Sequence, residues 1–258
     1  MCDTHSRTAW IQGWDGIDEP VWHQLRMPYR FVLLGAPGVG KGTQARLLGE
    51  ALGSCHLSTG DVFRAASEHI AATPAVKLAK AAMKRGDLVP DDLVISTVYE
   101  RSQCLQCPAG FLLDGFPRTL QQAQWLDERL GQLGVMLDAV VHYELPTEQI
   151  VERLCGRRTC EDCHTVYHEM TRPPARADIC DDCGGRLVLR ADDQPVVVRV
   201  RMDAYLKTTE PLKEFYGDQG LLIPVRATGT PEEVLERTLQ ALGISTSPSD
   251  GRMLASSR

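Results

Sequence analysis

Apolar residues occur along this chain in short runs that alternate with longer stretches of helical periodicity. The short runs cover residues 31–34, 55–57, 111–113, 140–145 and 221–225, and each is bounded by Gly, Pro or charged residues. Runs of this length are typical of strands that are buried on both faces of a parallel sheet. The pattern therefore predicts five such strands.

The stretches between the runs carry the spacing of amphipathic helices. They predict helices over residues 43–52, 61–70, 75–85, 91–101, 120–130, 147–154, 196–216 and 231–242. Repeated strand–helix–strand units predict an α/β fold, in three layers, with helices on both faces of a parallel sheet. A cysteine-rich insert interrupts this alternation between about residues 157 and 190.

The two ends of the chain lack clear periodicity. Residues 1–28 hold three of the four tryptophans, and residues 244–258 are rich in Ser and small side chains. We predict a poorly ordered N-terminal extension and a loose C-terminal tail. Met27 lies just before the first strand and is a candidate translation start. Mass spectrometry of the native protein would refute this hypothesis by detecting peptides from residues 1–26.

Composition narrows the class of protein. The 258 residues are 43% hydrophobic and 24% charged, which is usual for a globular protein, and no stretch reaches the ~18 apolar residues of a membrane span. The formal charge of −6 argues against a general nucleic-acid surface. Nine cysteines without a visible secretory signal indicate reduced thiols or metal ligands, and hence a cytoplasmic location.

The segment FVLLGAPGVGKGT, residues 31–43, has the form of a phosphate-binding loop. An apolar strand leads into spaced glycines and a lysine, and a helix follows. Glycines let several backbone N–H groups point at phosphate oxygens, while Lys41 can reach the β- and γ-phosphates. Most P-loop proteins have a magnesium-binding Ser or Thr after this lysine, but here Gly42 follows and Thr43 comes one position later. We therefore expect more of the magnesium coordination to come from water and nucleotide.

Several arginines lie beside predicted turns and element ends, where a phosphoryl group would travel. Arginine suits phosphate because its rigid fork pairs two oxygens and stays charged. Phosphoryl transfer itself requires little beyond positioning and charge neutralisation. Asp114 ends a predicted strand near the loop, so it is placed to hold magnesium through water. The arginines in such positions are Arg64, Arg118, Arg153, Arg157, Arg158, Arg190 and Arg201.

The insert contains two Cys-x2-Cys pairs with the spacing of a four-thiolate zinc site. Its ligands would be Cys160, Cys163, Cys180 and Cys183. Four thiolates leave zinc no open position, so the predicted role is structural. Acidic residues crowd these pairs, which disfavours binding to a phosphate backbone. A further pair, Cys104 and Cys107, is interpreted as incidental rather than redox-active.

The ordered motifs GAPGVGKGTQA, STGDVFRAA, GDLVPDDLV, GFLLDGFPRTLQQA, ERLCGRR, VYH and RADDQPVVVRVR resemble those of the adenylate kinase family, in its form with a long, zinc-binding lid. The resemblance covers about residues 29–243. It implies a five-stranded parallel core, a small helical AMP-binding part near residues 58–88 and a lid near residues 156–193. It also implies reversible, magnesium-dependent transfer between ATP and AMP.

The same resemblance implies which residues do what. Those implied for ATP are Gly38, Val39, Gly40, Lys41, Gly42, Thr43, Arg153, Arg157, Val166, Tyr167 and Pro231. Those implied for AMP are Thr59, Arg64, Asp87, Leu88, Val89, Gly115, Phe116, Pro117, Arg118, Gln122, Arg190 and Arg201. Phosphoryl transfer itself is assigned to Lys41, Arg118, Arg157, Arg190 and Arg201.

Two alternatives remain open at this point. One is a nucleoside monophosphate kinase for another base, although Thr59 and Gln122 favour AMP. The other is a P-loop protein that binds nucleic acid through the cysteine insert, against which the acidic balance argues. The expected partners are ATP, AMP and ADP, with no nucleic acid and no membrane, and the expected state is a monomer.

Overall fold

The computed structural model describes residues 28–63, 74–163 and 165–244. Its main sheet has five parallel strands in the order β2-β3-β1-β4-β8. They are β1 (Tyr29–Gly35), β2 (Cys55–Ser58), β3 (Gly110–Asp114), β4 (Ala139–Glu144) and β8 (Leu222–Arg226). All five strands coincide with the predicted apolar runs to within two residues, which confirms the predicted sheet.

Helices connect these strands and cover both faces of the sheet. They are α1 (Lys41–Leu52), α2 (Pro74–Arg85), α3 (Asp91–Glu100), α4 (Leu120–Gln132), α5 (Thr147–Cys155), α6 (Pro195–Ala204), α7 (Leu212–Asp218) and α8 (Pro231–Ala241). A short 3-10 helix, Ser102–Gln106, precedes β3 and was not predicted. None of the helices in the described ranges is both long and apolar enough to cross a bilayer.

The core lies on both sides of the sheet because successive side chains of a strand point to opposite faces. Val32 and Leu34 of β1 pack into one buried cluster, whereas Phe31 and Leu33 pack into the other. All four are at most 2% exposed. Each such side chain contributes about 1.5–3 kcal/mol through burial, so β1 anchors the sheet from its centre.

The predicted helix over residues 196–216 was wrong in its continuity. Helix α6 ends at Ala204, a π-helical turn spans Tyr205–Thr209, and α7 begins at Leu212. Pro211 explains the break, because proline lacks the N–H that an α-helix needs and its ring collides with the preceding turn. The Glu210 N–H instead bonds the Tyr205 carbonyl at 2.9 Å, one residue further back than in an α-helix.

The cysteine-rich insert forms a small antiparallel sheet that the sequence did not predict. Its order is β6-β5-β7, with β5 (Arg157–Cys160), β6 (Val166–His168) and β7 (Leu187–Val188). A 3-10 helix, Ala191–Asp193, then leads into α6. The insert therefore leaves the main sheet after α5 and returns to it through α6.

Some predictions fall outside the described residues. These are most of the N-terminal extension, the tail beyond Ile244, and the helix over 61–70 beyond residue 63.

Cys104 and Cys107 are buried, and the Cys107 Sγ lies 2.8 Å from the Cys55 Sγ. Burial raises the pKa of Cys107 to about 11. The raised pKa disfavours the thiolate form of Cys107. That the Cys104 and Cys107 pair is incidental stays a prediction.

Candidate functional site

The phosphate loop connects the carboxyl end of β1 to the amino terminus of α1. Residues 36–40 form the loop, and α1 begins at Lys41. Backbone N–H groups at a helix start carry partial positive charge, so this geometry suits phosphate. The predicted loop residues Gly38, Val39, Gly40, Lys41, Gly42 and Thr43 all lie in this turn or in the first turn of α1.

Lys41 turns back over the loop that precedes it. Its ammonium donates to the carbonyls of Gly35 at 2.7 Å and Ala36 at 3.0 Å. Burial lowers the pKa of Lys41 to about 7, and three arginine charges add to this effect, against the opposing charge of Asp114. The arginines that act on it are Arg118, Arg201 and Arg157. Four of the five residues assigned to phosphoryl transfer therefore share one electrostatic environment.

Asp114 is the last residue of the neighbouring strand β3 and lies beside the phosphate loop. A Cβ atom added to Gly42 would lie 3.3 Å from Asp114 Oδ2, so the small residue after Lys41 permits this close approach. Burial alone raises the pKa of Asp114, but the hydrogen bond from His56, at 3.4 Å, and the charges of His56 and Lys41 outweigh it. The pKa of Asp114 consequently lies below its ordinary value. The side chain is therefore an anion beside the phosphate loop, as the predicted magnesium role requires.

Asp193 holds two of the predicted arginines together. Its side chain is completely buried and accepts from Arg157 Nε at 2.7 Å and from Arg201 Nη1 at 3.0 Å. Arg201 also pairs with Asp192 Oδ2 at 3.0 Å. A buried carboxylate of this kind depends on its partners, since an unpaired buried charge is costly. The lid strand β5 and the returning helix α6 are thereby joined beside the cleft.

The segment that follows β3, residues 115–118, forms another wall of the cleft that Lys41 lines. The Phe116–Pro117 peptide bond is cis, and Gly115 has a φ of 81°. A Cβ at Gly115 would lie 2.9 Å from Arg118 Nη2 and 3.1 Å from Thr59 Oγ1. Instead the Gly115 carbonyl accepts from both side chains, at 2.8 Å from Arg118 Nε and 3.0 Å from Thr59 Oγ1. The turn therefore positions Arg118 and Thr59 together.

A second cavity adjoins this turn and contains most of the residues predicted for AMP. Gln122 lies at its wall and is 1% exposed. Its side-chain amide donates to Asp91 Oδ1 at 2.7 Å and accepts from the Arg118 backbone N–H at 2.8 Å. The predicted residues that line the cavity are Thr59, Asp87, Leu88, Val89, Gly115, Arg118 and Gln122. Arg64 lies outside the described residues.

Two residues predicted to contact the ATP base, Arg153 and Pro231, form hydrogen bonds within the protein. Arg153 donates to the carbonyls of Val39 at 3.1 Å and Ala227 at 2.9 Å. The Pro231 carbonyl accepts from Gln44 Nε2 at 2.8 Å. These bonds connect the phosphate loop and helix α1 to the segments that follow β8. A carbonyl oxygen has two lone pairs, so Pro231 keeps one for another donor.

Three predicted residues lie on the lid side and do not line the cavity around Lys41. Arg190 Nε donates to Thr159 Oγ1 at 2.8 Å. Tyr167 is 3% exposed, and its hydroxyl lies 3.5 Å from Cys180 Sγ and accepts from the Asp181 N–H. Val166 precedes it on β6. Their roles toward nucleotide remain predictions.

The four predicted metal ligands converge in the small sheet. The Sγ atoms of Cys160, Cys163, Cys180 and Cys183 all lie within 4.8 Å of one another. Tetrahedral zinc with Zn–S bonds of ~2.3 Å needs sulfurs about 3.8 Å apart. A Cβ added to Gly185 would lie 2.8 Å from Cys160 Sγ, so a bare backbone at this position leaves that sulfur its place. The donor set and its spacing fit a structural Zn²⁺.

Comparison with known proteins agrees with this geometry. The family model described as adenylate kinase matches residues 33–221. An adenylate kinase of Carboxydothermus hydrogenoformans is 45% identical over 213 residues, which are 83% of this chain and 99% of the relative. Those of Anaeromyxobacter dehalogenans and Streptomyces avermitilis are 48% and 45% identical, over 82% and 83% of this chain and 98% and 96% of theirs. The chain belongs to the adenylate kinase family.

In this member of the adenylate kinase family, the residues that hold the site residues in place were not predicted from the sequence. Asp193 and His56 are not among the predicted site residues. Asp91 was not singled out. Apart from Arg201, which lies eight residues from Asp193, their partners lie 28 to 58 residues away along the chain, so no local spacing reveals those pairs.

The π-helical turn is a second feature of this family member that the sequence analysis missed. Tyr205 and Thr209 line the cleft around Lys41. Thr209 Oγ1 donates to the Arg118 carbonyl at 2.8 Å, and the Tyr205 hydroxyl lies 3.0 Å from His142 Nε2. The turn therefore connects the wall containing Arg118 to strand β4. Pro211 was the sequence signal that could have indicated it.

Proposed function

We propose that this chain is an adenylate kinase: it transfers the γ-phosphoryl group of ATP to AMP and forms two ADP, reversibly. The observation that carries the proposal is that three cations line one cleft and a fourth acts on Lys41 through its charge. Lys41 comes from the phosphate loop and Arg118 from the wall beside the Gln122 cavity, while Arg157 and Arg201 come from the lid side. Two polyanionic nucleotides that meet there would have their mutual repulsion neutralised.

The donor nucleotide would lie on the phosphate loop. Backbone N–H groups of residues 38–43 would bind its phosphates, and Lys41 would contact the group that is transferred. Arg153 and the Pro231 carbonyl would meet the adenine, with Val166 and Tyr167 near it when the lid covers the cleft. Magnesium would accompany ATP and supply further charge neutralisation, held through water by Asp114.

The acceptor would lie in the cavity beside Gln122. Arg118 would grip the AMP phosphate, and Gln122 would read the adenine edge. Thr59, Gly115, Phe116 and Pro117 would complete this wall, and Asp87, Leu88 and Val89 would line the same cavity. Arg64 would also bind AMP. An AMP phosphate oxygen would attack the γ-phosphorus, and the bond between that phosphorus and the β–γ bridging oxygen would break in line.

The lid side would complete the transition state. Arg157, Arg190 and Arg201 would stabilise the charge on the transferring group, each as a planar, permanently charged donor. Zn²⁺ at the four cysteines would stabilise the lid and take no part in the chemistry. We propose a core of residues 29–243, an AMP-binding part near 58–88 and a lid near 156–193. We further propose that the chain acts as a cytoplasmic monomer.

The first test is ADP formation from Mg·ATP with AMP, GMP, CMP or UMP as acceptor. We expect turnover with AMP and little with the others. Preference for another monophosphate would contradict the roles of Thr59 and Gln122. Silence with every acceptor from folded protein, together with salt-sensitive binding to DNA or RNA, would favour the nucleic-acid-binding alternative instead.

A matched pair of variants tests the arginine roles. Arg201→Ala should lower kcat about 10³-fold, by analogy with other arginines that stabilise phosphoryl transfer. Arg199→Ala changes an exposed arginine of the same helix and should leave kcat unchanged. Equal kcat values for the two variants would contradict the assignment.

A further inference from the structure

We propose that Asp91 is a specificity-determining positioning residue for the acceptor base. It fixes the side-chain amide of Gln122 in the orientation that complements adenine and opposes guanine. This inference rests on the proposed role of Gln122 in reading the base. Asp91 begins α3 and lies 31 residues before Gln122 in the sequence.

The orientation of the Gln122 amide follows from partners that each have only one hydrogen-bonding role. Asp91 Oδ1 lies 2.7 Å from Gln122 Nε2, and an ionised carboxylate can only accept. The Arg118 backbone N–H lies 2.8 Å from Gln122 Oε1, and a backbone N–H can only donate. If the amide were turned over, its NH₂ group would face the N–H and its oxygen would face the carboxylate. Both contacts would then be repulsive.

Asp91 is itself held in place by Thr119, the residue that caps α4. The Thr119 hydroxyl donates to Asp91 Oδ2 at 2.7 Å and accepts from the Gln122 backbone N–H at 3.3 Å. The hydroxyl has one proton, which it donates in the hydrogen bond to the carboxylate, and its oxygen lone pairs remain free to accept from the Gln122 N–H. The hydroxyl can therefore donate and accept at the same time. Asp91, Thr119 and Gln122 therefore form a closed network in which the direction of every hydrogen bond is set.

This orientation determines what the amide can offer to a base. Nε2 has a second proton and Oε1 a second lone pair, and Gln122 lines the cavity proposed for AMP. Adenine presents an acceptor at N1 beside a donor at N6, which complements an amide N–H and C=O in this order. Guanine presents a donor at N1 beside an acceptor at O6, so it requires the amide turned over. The fixed amide would thus reject guanine by leaving its polar groups unpaired.

The test is the ratio of kcat/KM for AMP to kcat/KM for GMP, at saturating Mg·ATP. Asp91→Asn keeps the size of the side chain but can turn an NH₂ group toward Gln122, which permits the reversed amide. We expect the ratio to fall about tenfold, because one charged hydrogen-bond partner is lost while the Arg118 N–H still favours the original orientation. Asp92→Asn makes the same chemical change at the next, exposed residue of α3 and should leave the ratio unchanged.

A purely structural role for Asp91 would lower both kcat/KM values together and leave their ratio unchanged. That result, or a ratio equal to that of the wild type, would overturn the inference. If Asp91→Asn does not fold, Thr119→Val tests the same network by removing the hydroxyl that holds the carboxylate. The ratio should then fall with Thr119→Val but not with Thr119→Ser. Equal ratios in these two variants would also overturn the inference.

Gln122→Met separates failure of this inference from failure of the proposed function. If Gln122→Met keeps the wild-type preference for AMP, Gln122 does not read the base and its proposed role fails. If the preference is lost in Gln122→Met but kept in folded Asp91→Asn, the role of Gln122 stands. The inference about Asp91 alone is then wrong.

Discussion

Lys41 carries a charge that its surroundings disfavour. It is partly buried, and three arginines lie near enough to oppose its protonation, although Asp114 favours it. With a pKa of about 7, the free side chain is close to half protonated at neutral pH. A bound triphosphate would bring negative charge to the same place and raise the pKa of Lys41 again.

The first prediction follows from this shift. At pH 8 the free Lys41 is mostly neutral and becomes protonated when Mg·ATP binds, so binding should take up about one proton. At pH 6 the side chain is already protonated, and this uptake should vanish. Calorimetry of Mg·ATP binding, in pairs of buffers with different ionisation enthalpies, measures the proton number. Lys41→Arg stays charged and is the control; a proton uptake that does not differ between wild type and this variant would refute the expectation.

Individual site residues differ in how far the sequence could predict them. Lys41 and its loop could be predicted because the glycines and the lysine occur at the spacing that lets the backbone wrap around phosphate. Asp193 could not, since it pairs with Arg157 across 36 residues of an insert with no predictable strands. Asp91 could not be predicted either, because its proposed role depends on the orientation of the Gln122 side-chain amide, 31 residues away. Pairwise contacts of this kind are properties of the folded chain.

At the scale of single elements, the π-helical turn at Tyr205–Thr209 is the feature most closely tied to the site. Single π turns inside α-helices are often found at functional sites, and this one presents two side chains to the cleft. The strands were predictable because they are short and apolar throughout. The turn was not, because the helical periodicity continues across it and Pro211 alone marks the break.

The second prediction concerns the contact from this turn to the Arg118 segment. Thr209→Val removes the hydroxyl that donates to the Arg118 carbonyl and keeps the shape of the side chain. Loss of one hydrogen bond typically costs about 0.5–1.5 kcal/mol, so kcat/KM for AMP should fall about two- to tenfold. The KM for ATP should change little, since Thr209 faces the Arg118 wall.

Thr208→Val is the matched control for that variant. The Thr208 hydroxyl donates only within its own helix, to the Ala204 carbonyl at 2.7 Å. Steady-state kinetics with AMP as the varied substrate compares the two. If Thr208→Val and Thr209→Val lower kcat/KM equally, the effect arises from the helix itself and the proposed link to Arg118 is wrong.

At the scale of the whole molecule, the insert and the main sheet draw their stability from different sources. The main sheet buries two large apolar clusters, whereas the apolar cluster of the small sheet consists, among the described residues, of Cys160, Tyr167, Cys180 and Leu187. So small a cluster supplies little free energy, and two of its four members are predicted metal ligands. Metal binding can supply the remainder, on the order of 10 kcal/mol in zinc-binding peptides.

The third prediction is that metal removal unfolds the insert and spares the main sheet. Chelation should lower the thermal midpoint and kcat while most far-UV circular dichroism persists at low temperature. Cys163→Ser should reproduce this loss and reduce the metal content measured by mass spectrometry. Cys155→Ser, an exposed cysteine outside the cluster, should do neither. An unchanged melting curve after verified metal removal would contradict the structural role.

The pairing of β5 with β7 has a consequence for how this protein can be altered. The insert leaves the main fold through one of these strands and returns through the other, and they are adjacent partners in an antiparallel ladder. Their backbones are therefore about 4.8 Å apart, a gap that a short turn can bridge. We therefore expect that the part of the insert beyond these two strands can be replaced by a short turn without moving the strands themselves.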